Sequence, residues 1–244
     1  MRLHVTGATG YLGSELVRLR PDASSERVEV RDSEAVSALL ERVRPEVVIH
    51  TAYRQDGPDS RATNVEGAEN VARAVARIGA RLVHLSSDVV FAGRKGAPYV
   101  EEDELSPVND YGRTKAEAEW AVRGQHPRAL IVRTSLIYGG ENPSKHELAA
   151  AGPGPWYTNE IRSPVQVTDL ARALLELAAL EVSGSLHVAG ADAVSRAELA
   201  ELVTRRPVAT AEAPSARSLD CRLDSSRAQT LIRTRLRGVR EVLA

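Results

Sequence analysis

Short apolar runs alternate with longer amphipathic segments through the first half of the chain. The runs Arg2–Val5, Arg27–Val30, Val47–His50, Arg81–Leu85 and Ala129–Arg133 predict strands. Between them, Tyr11–Leu19, Ser33–Arg44, Arg61–Ile78 and Tyr111–Arg123 carry helical periodicity. Strands that are apolar at nearly every position, separated by helices, predict a parallel sheet covered on both faces. The expected fold is α/β, a Rossmann-type doubly wound sheet with a small C-terminal part and a shortened second-strand region. Beyond Thr134 the rhythm loosens. Ala151-Gly152-Pro153-Gly154-Pro155 marks a turn-rich break. Asp169–Leu180 predicts a helix with Thr168 as its N-cap, and Ser185–Val188 a strand. Ser195 and Glu198 have capping-box spacing, opening a helix to Thr204. Pro207–Ser218, rich in Pro, Ala and Ser, predicts a surface loop. The tail from Asp224 is helical again, and its arginines 233, 235, 237 and 240 are expected on the solvated face of a terminal helix.

Composition narrows the classes. The 244 residues are 43% hydrophobic and 27% charged, as expected of an ordinary globular chain. A net charge of −1 provides no basic field for nucleic acid. Cys221 is the only cysteine, and the six histidines show no metal-ligand spacing, so no metal site is expected. The first residues run directly into a strand pattern with no apolar signal core, and no run reaches membrane-spanning length. A cytoplasmic protein without membrane or nucleic-acid partners is expected. Lysine occurs only at 95, 115 and 145, among 32 basic residues.

Thr6-Gly7-Ala8-Thr9-Gly10-Tyr11-Leu12-Gly13 follows the first strand and opens the first helix. Glycines there permit a tight turn and close approach of a diphosphate, and the helix start offers free N–H groups. The spacing is one residue wider at the front than the common dinucleotide fingerprint. The selecting residue for the adenosine normally follows a second strand. Glu29 and Asp32 are candidates for that contact, and Arg18 and Arg20 for a 2′-phosphate. A cofactor of NADP or NAD type is expected.

Two further pieces complete a chemistry. Ser86-Ser87 ends a strand, where open parallel sheets bind ligands. Tyr111 and Lys115 lie four apart at the start of a helix, on one face. Reduction of a ketone by hydride leaves an oxygen that needs a proton. Tyr111 would supply it, a neighbouring ammonium would lower the phenol's pKa, and the serine hydroxyl would donate to the developing oxyanion.

These residues resemble the short-chain dehydrogenase/reductase superfamily, in its extended, sugar-nucleotide branch. Leu85-Ser86-Ser87-Asp88-Val89-Val90-Phe91-Ala92-Gly93, Pro107 to Lys115, Val48–Ala52, Thr63-Asn64-Val65 and Arg133–Gly139 are similar to stretches of dTDP-4-dehydrorhamnose reductases. The resemblance implies a catalytic set of Ser87, Tyr111 and Lys115. It implies cofactor contacts from Gly7, Thr9, Gly10, Tyr11, Leu12, Gly13, Glu29, Val30, Thr51, Ala52, Tyr53, Asn64 and Ser86, together with Tyr111 and Lys115. Substrate contacts are expected at Ser87, Val89, Tyr111 and Leu136, with Arg162 and Arg54 as further candidates. The implied activity is NAD(P)H-dependent reduction of a 4-keto sugar nucleotide or another small ketone. A homodimer is compatible with this reading. Residues 1–135, joined by 165–182, would form the dinucleotide-binding domain, and 136–164 with 183–244 the substrate-binding part.

Departures leave alternatives open. Leu136 stands where these reductases usually carry a tryptophan. The run Arg54–Asp59 is unlike theirs, and the loop Glu141–Ile161 is abbreviated. A non-catalytic, dinucleotide-binding regulatory subunit and a sugar-nucleotide epimerase are the competing readings. Trp156 and Tyr157 are candidates for stacking on a base or for packing their own loop.

Overall fold

The computed structural model describes residues 1–244. Its frame is a five-stranded parallel sheet in the order β1-β2-β3-β4-β9. The strands are β1 (Leu3–Thr6), β2 (Val47–His50), β3 (Arg81–Ser87), β4 (Leu130–Thr134) and, from much later in the chain, β9 (Gly184–His187). Helices α1 (Tyr11–Leu19), α2 (Ser33–Val43), α3 (Gly67–Arg77) and α4 (Asp110–Gln125) lie between these strands. Side chains alternate across a strand. Val47 and Ile49 therefore join one core, packed with Leu16 of α1, while Val48 joins another with Leu40, Val71 and Val122 of α2, α3 and α4. That double covering is why the strands read as unbroken apolar runs.

The second half builds small pieces around the sheet's carboxyl end. In chain order these are β5 (Ile137–Tyr138), α5 (Lys145–Ala150), β6 (Trp156–Tyr157), β7 (Ile161–Arg162), β8 (Val165–Gln166) and α6 (Val167–Ala178). After β9 come β10 (Val194–Ser195), α7 (Arg196–Thr204), β11 (Thr210–Ala211), α8 (Ser226–Leu231) and α9 (Val239–Leu243). Helix α6 packs beside α1 under the sheet, with Leu170 and Leu174 fully buried. The pairs β5–β8, β6–β11 and β7–β10 tie the late segments together.

Several sequence expectations change. Arg27–Val30 is not a strand. The chain makes a single bridge, Ser24 to His4, then runs irregularly to α2. Val28 and Val30 alternate like a strand, but Val30 instead presses against Gly67 of α3, where a Cβ would stand 2.6 Å from its methyl carbon. The expected helix from Arg61 begins with a wider turn, Ala62–Glu66, before α3. Segment 141–161 is not only turns: Ser144 and Glu147 cap α5 reciprocally. The expected cap of α6 shifts from Thr168 to Gln166, whose side chain accepts from Asp169 N–H. The tail is two short helices, and two of its arginines, though solvent-accessible, are held in ion pairs. Arg237 forms an ion pair with the buried Asp169 at 2.8 Å, and Arg240 with Glu198 at 2.6 Å. No helix is long and apolar enough to cross a membrane.

Candidate active site

A cavity of about 700 Å³ opens at the carboxyl ends of β1–β4. One wall is the glycine turn. Gly7 takes φ +72°, and a Cβ there would fall 2.6 Å from the Ala52 nitrogen, so the turn closes only on glycine. At Gly10 an added Cβ would meet nothing but the Gly7 carbonyl oxygen, at 3.2 Å. Gly10, Tyr11, Leu12 and Gly13 line the cavity, and no side chain caps α1. The Tyr11 hydroxyl accepts from Gly140 N–H at 2.7 Å and ties α1 to the strand end after β5.

The floor carries the expected triad. Asn109 caps α4 by accepting from Gly112 N–H at 2.8 Å. Gly112 itself lets α4 approach the turn after β3, for a Cβ would lie 2.2 Å from Val89 O. This contact places Tyr111 in the cavity lining together with Ser87. Lys115 is 3% exposed and donates to Leu85 O at 2.5 Å. Burial pulls its pKa down to about 8, against a Coulombic lift from Glu119.

One expectation about these groups is corrected. The phenol of Tyr111 has its pKa raised, first by desolvation and then by Tyr53 and Asp88; the Ser87 hydrogen bond opposes this only in part. The Ser87 hydroxyl is also engaged within the ligand-free protein. It donates to Asp88 Oδ1 at 3.2 Å. Asp88 is 2% exposed, receives Ser135 Oγ at 2.6 Å and faces the Arg162 guanidinium at 3.6 Å. Burial raises its pKa above the usual carboxylate value.

The remaining expected residues divide by position. Thr51, Tyr53, Ser86, Val89, Leu136 and Arg162 line the cavity. The Tyr53 ring lies 5.9 Å from that of Tyr111. Ala52 and Thr51 buttress Gly7. Asn64 is buried and holds the Arg54 backbone, accepting at 2.8 Å from its N–H and donating at 2.8 Å to its carbonyl. Glu29, Val30, Thr9 and Arg54 lie outside the cavity lining. Glu29 pairs with Arg31, and nearby Arg54 contributes to lowering its pKa to about 2. Arg54 thus stands near Glu29 and outside the cavity lining. Asp32 caps α2, Arg18 pairs with Glu15 and Arg20 with Asp22.

Sequence reasoning named Arg162 but missed Arg196 and Arg217, which line the same cavity. Arg162 spends its donors on the carbonyls of Ile161, Leu219 and Ser218. Arg217 pairs with Glu160 at 2.7 Å, backed by the Tyr157 ring at 5.1 Å. Arg196 stands 5.6 Å from the Trp156 ring centre, and its Nη1 is buried without a partner. Trp156 and Tyr157 therefore prop arginines and do not themselves line the cavity. At the mouth, Lys145 donates to Tyr53 Oη at 2.9 Å and to Gln55 Oε1 at 2.8 Å, bridging the two sides. The scarcity of lysine was the one signal for Lys145. Arg217 had none, lying in the Pro-, Ala- and Ser-rich segment expected to be a surface loop.

The chain is similar to known proteins over its whole length. It is 37% identical to dTDP-4-dehydrorhamnose reductase of Mycobacterium tuberculosis, covering 87% of this chain and 81% of that protein. It is 31% identical to methionine adenosyltransferase 2 subunit beta of Rattus norvegicus, over 90% of this chain and 80% of that one. A crystal structure of dTDP-4-dehydrorhamnose reductase from Bacillus anthracis in complex with NADP superposes with a TM-score of 0.86 at 25% identity, covering 99% and 95% of the two chains. The profile of the RmlD substrate binding domain matches residues 1–244, so the chain belongs to that family.

Proposed function

We propose that the chain is an NAD(P)H-dependent reductase of a 4-keto sugar nucleotide, of the dTDP-4-dehydrorhamnose reductase type. The observation that carries this is convergence: Ser87, Tyr111 and Lys115 line the same cavity into which the uncapped start of α1 opens. The cavity suits a dinucleotide. Free N–H groups of Tyr11, Leu12 and Gly13 favour a diphosphate, and Gly10 leaves room for its close approach. Thr51, Tyr53 and Lys115 then lie along the path towards Tyr111.

When bound, the nicotinamide would supply a hydride to the keto carbon. Tyr111 hands its hydroxyl proton to the keto oxygen. Its raised pKa makes it a firmly protonated acid in the ligand-free protein and a poor base. Lys115 would hold the ribose hydroxyls of the cofactor. Ser87, held by Asp88, stands with the phenol in the cavity lining. Arg196 and Arg217 face the cavity with aromatic backing and suit the substrate's diphosphate. The Arg196→Ala/Arg217→Ala pair is expected to raise KM for the sugar nucleotide by about 10- to 100-fold while cofactor affinity stays put. Equal weakening of both ligands would remove the arginines from the substrate site.

NADPH or NADH oxidation followed at 340 nm, with dTDP-4-dehydrorhamnose as substrate, tests the function. Cofactor binding without oxidation of NADPH or NADH across a panel of keto-sugar nucleotides would favour the regulatory-subunit reading instead. The pH profile carries a further expectation. Lys115 loses its charge as pH rises through about 8, so kcat/KM for reduction should bend downwards there. A flat profile to pH 10 would contradict the role given to the ammonium.

A further inference from the structure

Glu119 lies one helical turn beyond Lys115 on α4, and it is 0% exposed. A carboxylate in such a place needs partners. Ser86 Oγ donates to its Oε1 at 2.6 Å. Arg133 of β4 approaches with Nε at 3.0 Å from Oε1 and Nη2 at 2.9 Å from Oε2. Arg123, on the helix's outer side, stands at 3.9 Å. None of these contacts touches the cavity's reacting groups, and the chemistry above does not use them.

Their placement nonetheless bears on the site. Ser86 follows Leu85, whose carbonyl receives the Lys115 ammonium. The carboxylate thus pins the end of β3 to the helix that carries Lys115, and Glu119 itself is not part of the cavity lining. We propose that Glu119 is a positioning residue for the reduction: through Ser86 and through its charge it holds Lys115 docked and protonated. The proposal rests on the role given to Lys115 above.

The other groups around the lysine do not share this task. His50 and His84 lie on the neighbouring strands, stacked with ring centres 5.3 Å apart. Both are held neutral by burial and by the lysine's own charge, so they add no positive charge. Tyr111 is a protonated phenol, for the reasons given above. Arg133 is turned towards Glu101 O and the Phe91 ring, with its forked donors on Glu119. Glu119 is the carboxylate whose field reaches Lys115 and opposes its desolvation.

With only three lysines in the chain, 13Cε-lysine labelling resolves Lys115 by NMR, using Lys95→Arg and Lys145→Arg for assignment. Lys115 is expected to titrate near pH 8 in the wild-type protein. In Glu119→Gln it should titrate about one pH unit lower or more, a tenfold loss of protonation. The downward limb of kcat/KM should move with it, and Glu119→Asp should restore most of the shift. Glu119→Gln strands a buried arginine, so Glu119→Gln/Arg133→Gln serves as the second variant, with a drop of the same sign expected. A titration within a few tenths of a unit of wild type in either folded variant would overturn the proposal. The titration needs neither substrate nor turnover. If the protein reduces nothing while Lys115 follows Glu119, only the reductase reading has failed.

Discussion

Tyr111→Phe is expected to leave the protein folded and able to bind NADPH, and to lower kcat for keto-sugar reduction by about 10³-fold. Transfer of a proton by a positioned side chain commonly contributes 10²–10⁴-fold. A loss in the middle of that range is expected because the cavity offers no ready substitute. The Ser87 proton is committed to Asp88, and the Asp88 carboxylate is itself ringed by Ser135 and Arg162. The phenylalanine keeps the ring that packs against Tyr53, so the effect should fall on kcat and not on stability. Steady-state kinetics and a thermal melt, run on the same preparation, separate the two. A variant that retains a tenth or more of wild-type kcat would assign the proton to another group, with Ser87 the first candidate.

The parts of this site that were legible in the sequence are those fixed by local rules. The glycine turn demands particular backbone angles, and Gly7 takes one of them. Tyr111 and Lys115 share a face because a helix has 3.6 residues per turn. The strands were legible because both faces of the sheet are covered. Arg27–Val30 failed for the complementary reason. It has strand-like alternation, but after the Ser24 bridge no neighbour offers it a ladder, and its apolar side chain is consumed by α3. Helix α5 has six residues, too few to show a period, though its capping pair Ser144 and Glu147 was there to be read.

Glu119 and Asp88 were hidden differently. Buried carboxylates break the apolar pattern of their elements and look like surface positions until their arginines are located in space. Arg133 lies fourteen residues from Glu119, and Arg162 lies seventy-four from Asp88. Arg217 is the extreme case. It reaches the cavity only because β11 pairs with β6 and carries its loop across. Nothing local specifies that path.

Lys115→Met should abolish most activity and yet make the ligand-free protein more stable at neutral pH. The wild-type lysine is held at a pKa of about 8 in the fold, down from an ordinary 10.5. That displacement corresponds to about 3 kcal/mol of unfavourable burial while the amine is charged. Methionine has similar length and no charge to desolvate. Against the gain stands the loss of the bond to Leu85 O, worth about 1 kcal/mol. A net stabilisation of about 1–2 kcal/mol at pH 7 follows. The sign reverses the usual behaviour of a lysine that gains a partner. Between pH 8 and 10.5 the unfolded chain still binds the proton that the native state has released, so wild-type stability rises with pH across that window. The methionine variant lacks that rise, and its advantage should shrink towards zero as pH climbs. Urea unfolding at pH 7 and at pH 10 measures both ends. A variant less stable than wild type at pH 7 would mean that the ammonium is well solvated in the fold, and the downward limb expected near pH 8 would lose its cause. The buried charge is thus kept at a cost in stability, which is the trade expected where a site needs a cation held away from water to grip a ligand.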